Sequence, residues 1–148
     1  MAQAGTLTPY IIVQDAAAAL AFYKKAFGAE EVLRLTDPSG KIGHAHLAIG
    51  DSALMLADEH PEFGALGPTA LGGTPVRLHL EVADADATAQ RAVDAGGTLL
   101  RPVQDQFHGN RSGMVADPFG HQWFVSQQTE EVSAEEMQRR YDRLMQEA

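Results

Sequence analysis

Apolar and polar positions follow the same order twice along this chain. Residues 7–13 alternate and precede a helical run at 16–27, and residues 76–82 precede a second helical run at 84–95. A constant offset between the halves predicts a duplicated module that starts with one strand and one helix. The offset is 69 residues in three equivalent pairs: Val13 and Val82, Asp15 and Asp84, and Gly28 and Gly97.

Turn and cap residues complete each predicted module. Asp15 is placed to cap the N-terminus of the first helix, and Gly28 is placed to end it in a left-handed conformation. Alternating segments after each helix predict three more strands, with "DPSG" and "DPFG" as turns. Each half therefore reads as strand, helix and three strands, which is an α+β pattern.

We expect the whole chain to form one domain, because its length is typical of one. A stretch rich in Gly, Pro and Thr separates the two halves and predicts a connection. The predicted parts of the 1–148 domain are module one at about 6–58, the connection at 59–74, module two at about 75–128 and a C-terminal helix at about 133–147.

The C-terminal helix is predicted from its start signal and its apolar stripe. Ser133 and Glu136 have the spacing of a capping box. Apolar side chains then recur at helical spacing, and we expect this stripe to pack on the body of the protein or on a partner subunit. The stripe consists of Met137, Tyr141, Leu144 and Met145.

Composition restricts the classes of function. The net charge of −9 disfavours nucleic acid and anionic membranes as partners, because both require a basic face. Cysteine is absent, which excludes disulfides, thiolate catalysis and cysteine metal ligands. No apolar run reaches the length of about 18 residues that a spanning helix needs. The first ten residues lack a signal-peptide pattern, so we expect a cytoplasmic protein.

Three segments of the chain resemble the vicinal oxygen chelate superfamily, which includes glyoxalases, bleomycin-resistance proteins and extradiol dioxygenases. They are TPYIIVQDAAAALAFYKKAFGAEEVLRL, GKIGHAHLAIGDSALMLADEHPEFG and DQFHGNRSGMVADPFGHQWFVSQQTEEVSAEEMQRR. The last is similar to the PhnB-like branch, where aromatic-Gly-Asp-Arg-x-Gly precedes Asp-Pro-Phe-Gly-His. The resemblance implies two βαβββ modules that form a curled mixed sheet, a half-barrel, around a cavity. It also implies a homodimer, with the cavity built within one chain or across two.

The resemblance also implies where a metal would bind. Metal-dependent members carry His, Glu or Gln ligands on the first and last strands of each module. The matching positions here are Thr8, Met55, Arg77 and Phe124. None of these is a good ligand, since a guanidinium stays protonated and a phenyl ring has no donor atom. We therefore expect no metal cofactor, with a relocated divalent metal as the alternative.

Strand alternation predicts which side chains face the cavity. On 43–49 and 76–82, alternate apolar positions should face the helices, so the polar positions between them face the cavity. Apolar walls with a few directed polar groups suit a small organic ligand. The predicted ligand-binding residues are Tyr10, His44, His46, Met55, Arg77, His79, Phe107, His108 and Phe124. The candidate catalytic residues are His44, His46, His79 and Glu81.

The polar candidates have more than one interpretation. Arg77 can clamp a carboxylate or phosphate, or it can form a salt bridge to Glu81 on the same strand face or to a neighbouring carboxylate. His44, His46 and His79 can hold a metal or act as acid–base groups. Plain polar lining of an open cavity is the interpretation that we favour for the three histidines.

The segment HGNRSGMVADPFGHQW, from 108 to 123, combines basic side chains, a turn and a tryptophan. We predict a hairpin whose front end, Phe107 and His108, borders the pocket. Arg111 is expected to stabilise the loop by pairing with Asp105 or Asp117.

The back end of this hairpin is predicted to be scaffold. His121 follows the turn, and its imidazole N–H is expected to donate to a turn carbonyl. Trp123 lies between two inward positions of its strand, so its side chain should pack towards the helices.

Functions from different classes fit these residues. The first is a metal-independent protein of the bleomycin-resistance type that binds or sequesters a small aromatic or planar organic molecule. The alternative is a lyase, isomerase or dioxygenase that uses a relocated metal or histidine acid–base groups. A third is a partner-binding role for the C-terminal helix. Glyoxalase I chemistry is not expected, because it needs a Lewis acid at the four positions named above.

Overall fold

The computed structural model describes residues 4–148, so residues 1–3 of the predicted domain lie outside the described part. The first half contains β1 (Tyr10–Val13), α1 (Ala16–Phe27), β2 (Glu30–Thr36), β3 (Ile42–Ile49) and β4 (Ser52–Asp58). The connection contains a 3₁₀ turn (Pro61–Phe63) and α2 (Pro68–Leu71). The second half contains β5 (Arg77–Glu81), α3 (Ala85–Asp94), β6 (Thr98–Asp105), β7 (Asn110–Ala116) and β8 (Gln122–Gln128), and α4 (Ala134–Glu147) follows.

Within residues 4–148 the strands form two four-stranded mixed sheets with identical topology. The strand orders are β1-β4-β3-β2 and β5-β8-β7-β6. In each sheet the first and last strands of the module pair in parallel, and the remaining pairs are antiparallel. The predicted α+β class with two βαβββ modules and a C-terminal helix is confirmed. The first strand of each half is shorter than predicted, beginning at Tyr10 and at Arg77.

Cap residues explain where α1 and α3 begin and where α1 ends. The side chain of Asp15 accepts a hydrogen bond from the Ala18 backbone N–H at 3.0 Å, as predicted. Asp84 caps α3 in the same way. Gly28 has φ 70°, in the left-handed region that a helix C-terminus favours, and its N–H bonds back to α1.

One hydrophobic core joins the helix-facing sides of both sheets. α1 packs against α3 as well as against its own sheet. Tyr23 and Phe27 on α1 contact the ring of Trp123 on β8, with centroids 5.4 and 4.7 Å apart. Trp123 is buried, which confirms that it faces the helices. Each sheet therefore presents its other face away from this core.

The last helix, α4, contacts the second module through part of its apolar stripe. Ser133 accepts from the Glu136 N–H at 3.1 Å, so the predicted cap forms. The Glu136 carboxylate pairs with Arg139 and Arg140. Tyr141 lies 5.5 Å from Phe107, centroid to centroid. None of the helices within residues 4–148 is long and apolar enough to cross a membrane.

Candidate functional site

The polar residues of β5 lie on the face of the second sheet that points away from the core. Arg77, His79 and Glu81 are exposed, and Leu78 and Leu80 between them are half-buried against the core. This is the orientation that alternation predicts. Phe124 on the paired strand β8 lies directly beside His79, with ring centroids 6.0 Å apart and perpendicular planes.

A cavity of about 670 Å³ lies over this face. Four of the predicted ligand-binding residues line it together with six others. The lining residues are Arg77, His79, Arg101, Pro102, Gln104, Gln106, His108, Ser112, Gly113 and Phe124. The volume is in the range of small-molecule sites, and the wall combines an aromatic ring with several polar groups.

Arg77 is positioned by neighbours on β8. Its Nε donates to Gln122 Oε1 at 3.4 Å, and its guanidinium lies 5.8 Å from the centroid of the Phe124 ring. The alternative prediction, a salt bridge from Arg77 to a carboxylate, is wrong. Arg77 forms no ion pair among the described residues, and Glu81 pairs with His79 instead. The guanidinium therefore keeps donors that can face a ligand.

His79 belongs to a polar chain along the same face. Its Nε2 is 3.4 Å from Glu81 Oε1. Asn110 donates to that same carboxylate oxygen at 3.2 Å and to Ser126 Oγ at 2.6 Å. A carboxylate that is itself held by an amide can orient an imidazole for proton transfer.

The loop between β6 and β7 borders the cavity. His108 lines it, and the ring of Phe107 packs edge-on against His108 with centroids 5.2 Å apart. Arg140 on α4 donates to the backbone oxygen of Phe107 at 3.0 Å and to Glu130 at 2.7 Å. The C-terminal helix thus holds the loop from outside the cavity.

The predicted residues of the first module lie on the other sheet. Tyr10 pairs with Met55, and Met55 pairs with His46 across the antiparallel strand. The hydroxyl of Tyr10 is 3.0 Å from His44 Nδ1. None of these four is among the described lining residues of the cavity. Within one chain the predicted binding set is therefore divided between two sheet faces.

The positions that the resemblance assigns to a metal do not fit one. Arg77 carries a guanidinium without a lone pair and Phe124 carries a hydrocarbon ring. Thr8 and Met55 are poor ligands for divalent cations. Within residues 4–148 of one chain, the structure brings together no group of three or more His, Cys, Asp or Glu side chains that could hold a metal ion.

Sequence reasoning missed the wall that β6 contributes. Arg101 and Gln104 line the cavity, where β6 pairs with Met114 and Ser112 of β7. Two register irregularities, on either side of Arg101, interrupt this pairing. The irregularities break the alternation, since the neighbours Arg101 and Pro102 both line the cavity, and no pattern in the sequence indicated which side chains of β6 face it.

Arg111 and His121 make contacts other than those expected. Arg111 pairs with Asp105 at 3.2 Å, as predicted, and more closely with Asp86 at 2.7 Å, whereas the Asp117 alternative is wrong. Hydrogen bonds from Arg111 lower the pKa of the Asp86 carboxyl. His121 Nε2 is 2.8 Å from the backbone oxygen of Ile12, on β1 of the other module and not in its own turn.

Comparison with known proteins agrees with this architecture. A family model described as "Glyoxalase/Bleomycin resistance protein/Dioxygenase superfamily" matches residues 4–125. An uncharacterized protein of Mycobacterium bovis is 47% identical over 135 residues, which cover 89% of each chain. A solved structure from Pseudomonas aeruginosa is 28% identical, with a TM-score of 0.68 over 84% of this chain and 98% of that one. The fosfomycin resistance protein FosX of Listeria monocytogenes is 18% identical and shares the fold, with a TM-score of 0.66 over 92% and 99% of the chains. Because the family model matches most of its length, the chain belongs to the Glyoxalase/Bleomycin resistance protein/Dioxygenase superfamily.

Proposed function

We propose that this protein binds a small organic molecule with an aromatic or planar part in the cavity over the second sheet. The observation that carries the proposal is the convergence of Arg77, His79, His108 and the Phe124 ring on one cavity of about 670 Å³. An aromatic wall beside a few directed donors is the usual composition of a ligand site. The segment FHGNRSG before DPFGH supports a place in the PhnB-like branch.

We also propose that the protein is a homodimer in which a second copy completes this cavity. Tyr10, His44, His46 and Met55 occupy the equivalent face of the first sheet, and the described lining residues all come from the second half. Apolar side chains on β2 are exposed, with Val32 at 61%. A face of this kind is typical of a subunit contact.

A panel of planar aromatic compounds tests the binding proposal. A true ligand is expected to raise the melting temperature of the protein. Its affinity should fall at least tenfold in Phe124→Ala, because the variant lacks the ring that forms part of the cavity floor. Phe63→Ala is the matched control, because Phe63 is exposed outside the cavity and its loss should leave affinity unchanged. A ligand that binds Phe124→Ala as tightly as wild type would place its site elsewhere.

Light scattering and the His46→Ala variant test the shared cavity. We expect a dimer in solution. We also expect His46→Ala to weaken ligand binding, because His46 lies outside the cavity of its own chain and would line the cavity of the second copy. A monomer whose ligand affinity is indifferent to His46→Ala would show that one chain forms the whole site.

The second candidate function is catalysis by the His79–Glu81 pair, favoured by their 3.4 Å contact and by the Asn110 hydrogen bond to Glu81. With a substrate in hand, Glu81→Gln is expected to lower kcat, because the imidazole loses the carboxylate that orients it. Elemental analysis of untagged protein purified without chelator tests the metal alternative. About one equivalent of metal that is lost in His46→Ala or His79→Ala would support a relocated centre.

A further inference from the structure

The cavity is basic, although the protein is acidic. The chain carries a net charge of −9, yet the described lining contains two arginines and two histidines and no Asp or Glu. The nearest carboxylate on the same strand face, Glu81, is directed to His79 and Asn110. A positive potential confined to one cavity of an acidic protein indicates that the cavity attracts anions.

Its arginines lack counter-ions within the described residues. Five other arginines in that part of the chain have a carboxylate partner: Arg34, Arg111, Arg139, Arg140 and Arg143. Arg77 donates to an amide oxygen and lies over the Phe124 ring, and Arg101 forms no ion pair with a carboxylate in the part of the chain that the structure describes. Guanidinium groups match carboxylates and phosphates in shape, with two parallel donors each.

The two arginines enter the cavity from opposite edges of the sheet. Arg77 is on β5 and Arg101 on β6, which are the edge strands of the order β5-β8-β7-β6. Three strand spacings, about 14 Å, separate these edges. Between them, Phe124 on β8 and Ser112 on β7 form the floor. A molecule seated on that floor meets one cation from each side and an aromatic surface beneath it.

We propose that the occupant is an organic anion, in which a carboxylate or a phosphonate is attached to a planar group. The guanidinium groups of Arg77 and Arg101 attract the anionic group from the two edges of the sheet, and the planar part rests on the Phe124 ring. This inference rests on the proposed binding function and adds the charge of the ligand to it. The anion neutralises two guanidinium groups that line the same cavity and have no carboxylate partner within residues 4–148.

Side-chain NMR of the full-length protein tests this proposal. The probes are benzoate and phenylphosphonate, with benzamide as the neutral analogue of similar shape. We expect both anions to shift the Nε–Hε resonances of Arg77 and Arg101 in a saturable manner, and benzamide to bind at least tenfold more weakly. Raising the salt concentration should weaken the binding of both anions. A preference for benzoate over phenylphosphonate, or the reverse, identifies which acid the site takes.

Matched arginine variants complete the test. Arg77→Gln and Arg101→Gln should each weaken anion binding at least tenfold. Arg91→Gln, at an arginine without a carboxylate partner in the described residues and outside this cavity, should not. Equal affinity for benzamide and benzoate, or unchanged affinity in both cavity variants, overturns the anion assignment while aromatic binding stands. If neither anion perturbs a lining residue while a neutral compound of the aromatic panel does, the anion assignment fails and the proposed binding function stands.

Discussion

The carboxylate of Asp117 accepts a hydrogen bond from the hydroxyl of Tyr23, and this contact joins the turn before β8 to α1 of the other module. Both side chains are buried. Asp117 also accepts from Trp123 Nε1 and from the Phe119 N–H, each at 3.0 Å. Burial and the nearby Asp117 charge raise the pKa of the Tyr23 hydroxyl well above its ordinary value. A single buried carboxylate therefore links the two halves of the core.

Replacing Asp117 with alanine is expected to lower the free energy of unfolding by about 3 kcal/mol, because buried donors from Tyr23, Trp123 and the turn lose their acceptor. Urea denaturation followed by circular dichroism measures the change. Asp105→Ala is the control, since Asp105 is exposed and pairs at the surface. Equal stability losses in the two variants would contradict a special role for the buried carboxylate.

Tyr23→Phe is expected to reduce the loss of stability at alkaline pH. The folded protein holds the phenolic proton more tightly than the unfolded chain, whose tyrosine has the ordinary pKa of 10.0. The contribution from Tyr23 is therefore complete below about pH 10 and declines as the pH rises above that value. Denaturation midpoints from pH 8 to 11 should fall less steeply in the variant than in wild type. Parallel slopes would show that Tyr23 keeps an ordinary pKa in the fold.

The module plan could be predicted from the sequence because local signals agree with each other. Asp15 and Gly28 are separated by one uninterrupted helical run, and the structure places both as caps. Alternation over 44–47 and 77–81 places His44, His46 and His79 opposite Ala45, Leu47, Leu78 and Leu80, so the direction of the histidines follows from strand geometry. These features need no knowledge of distant contacts.

The site was less predictable, since its geometry depends on tertiary packing. Arg101 lines the cavity because it pairs with Met114 of β7 between two register irregularities of β6. Asp86, the closer partner of Arg111, lies 25 positions away on α3 and is brought near by helix docking. The contact of His121 with Ile12 spans 109 positions. Alternation within a single strand carries no information on such pairings.

Gly113→Ala is expected to destabilise the protein and weaken ligand binding together. A Cβ at this position would lie 2.8 Å from Val103 Cγ2 and 2.9 Å from the backbone oxygen of Arg101, so β6 must move away from β7. We expect a loss of about 1–3 kcal/mol in the free energy of unfolding. Gly43→Ala on β3 is the control, because nothing lies within 4 Å of its added Cβ. Wild-type stability in Gly113→Ala would show that β6 can move away from β7 without lowering the free energy of unfolding.

The hydrogen bond from Arg140 to the Phe107 oxygen predicts that α4 restrains the loop beside His108. Arg140→Ala removes this bond and the ion pairs with Glu130 and Glu136. Amide hydrogen exchange in residues 107–109 should therefore become several-fold faster, while exchange in the core of β7 and β8 stays at its wild-type rate. Hydrogen exchange followed by mass spectrometry of short peptides resolves these segments.

Arg139→Ala is the matched control for this experiment, because Arg139 sits on the same helix and pairs with Glu136 but makes no hydrogen bond to the loop among the described contacts. Faster loop exchange in Arg140→Ala but not in Arg139→Ala assigns the restraint to one guanidinium and not to the general stability of α4. The binding of benzoate should weaken in the same variant, because His108 then spends more time away from the cavity wall. If both variants speed exchange equally, the helix as a whole holds the loop, and Arg140 has no separate part in shaping the site.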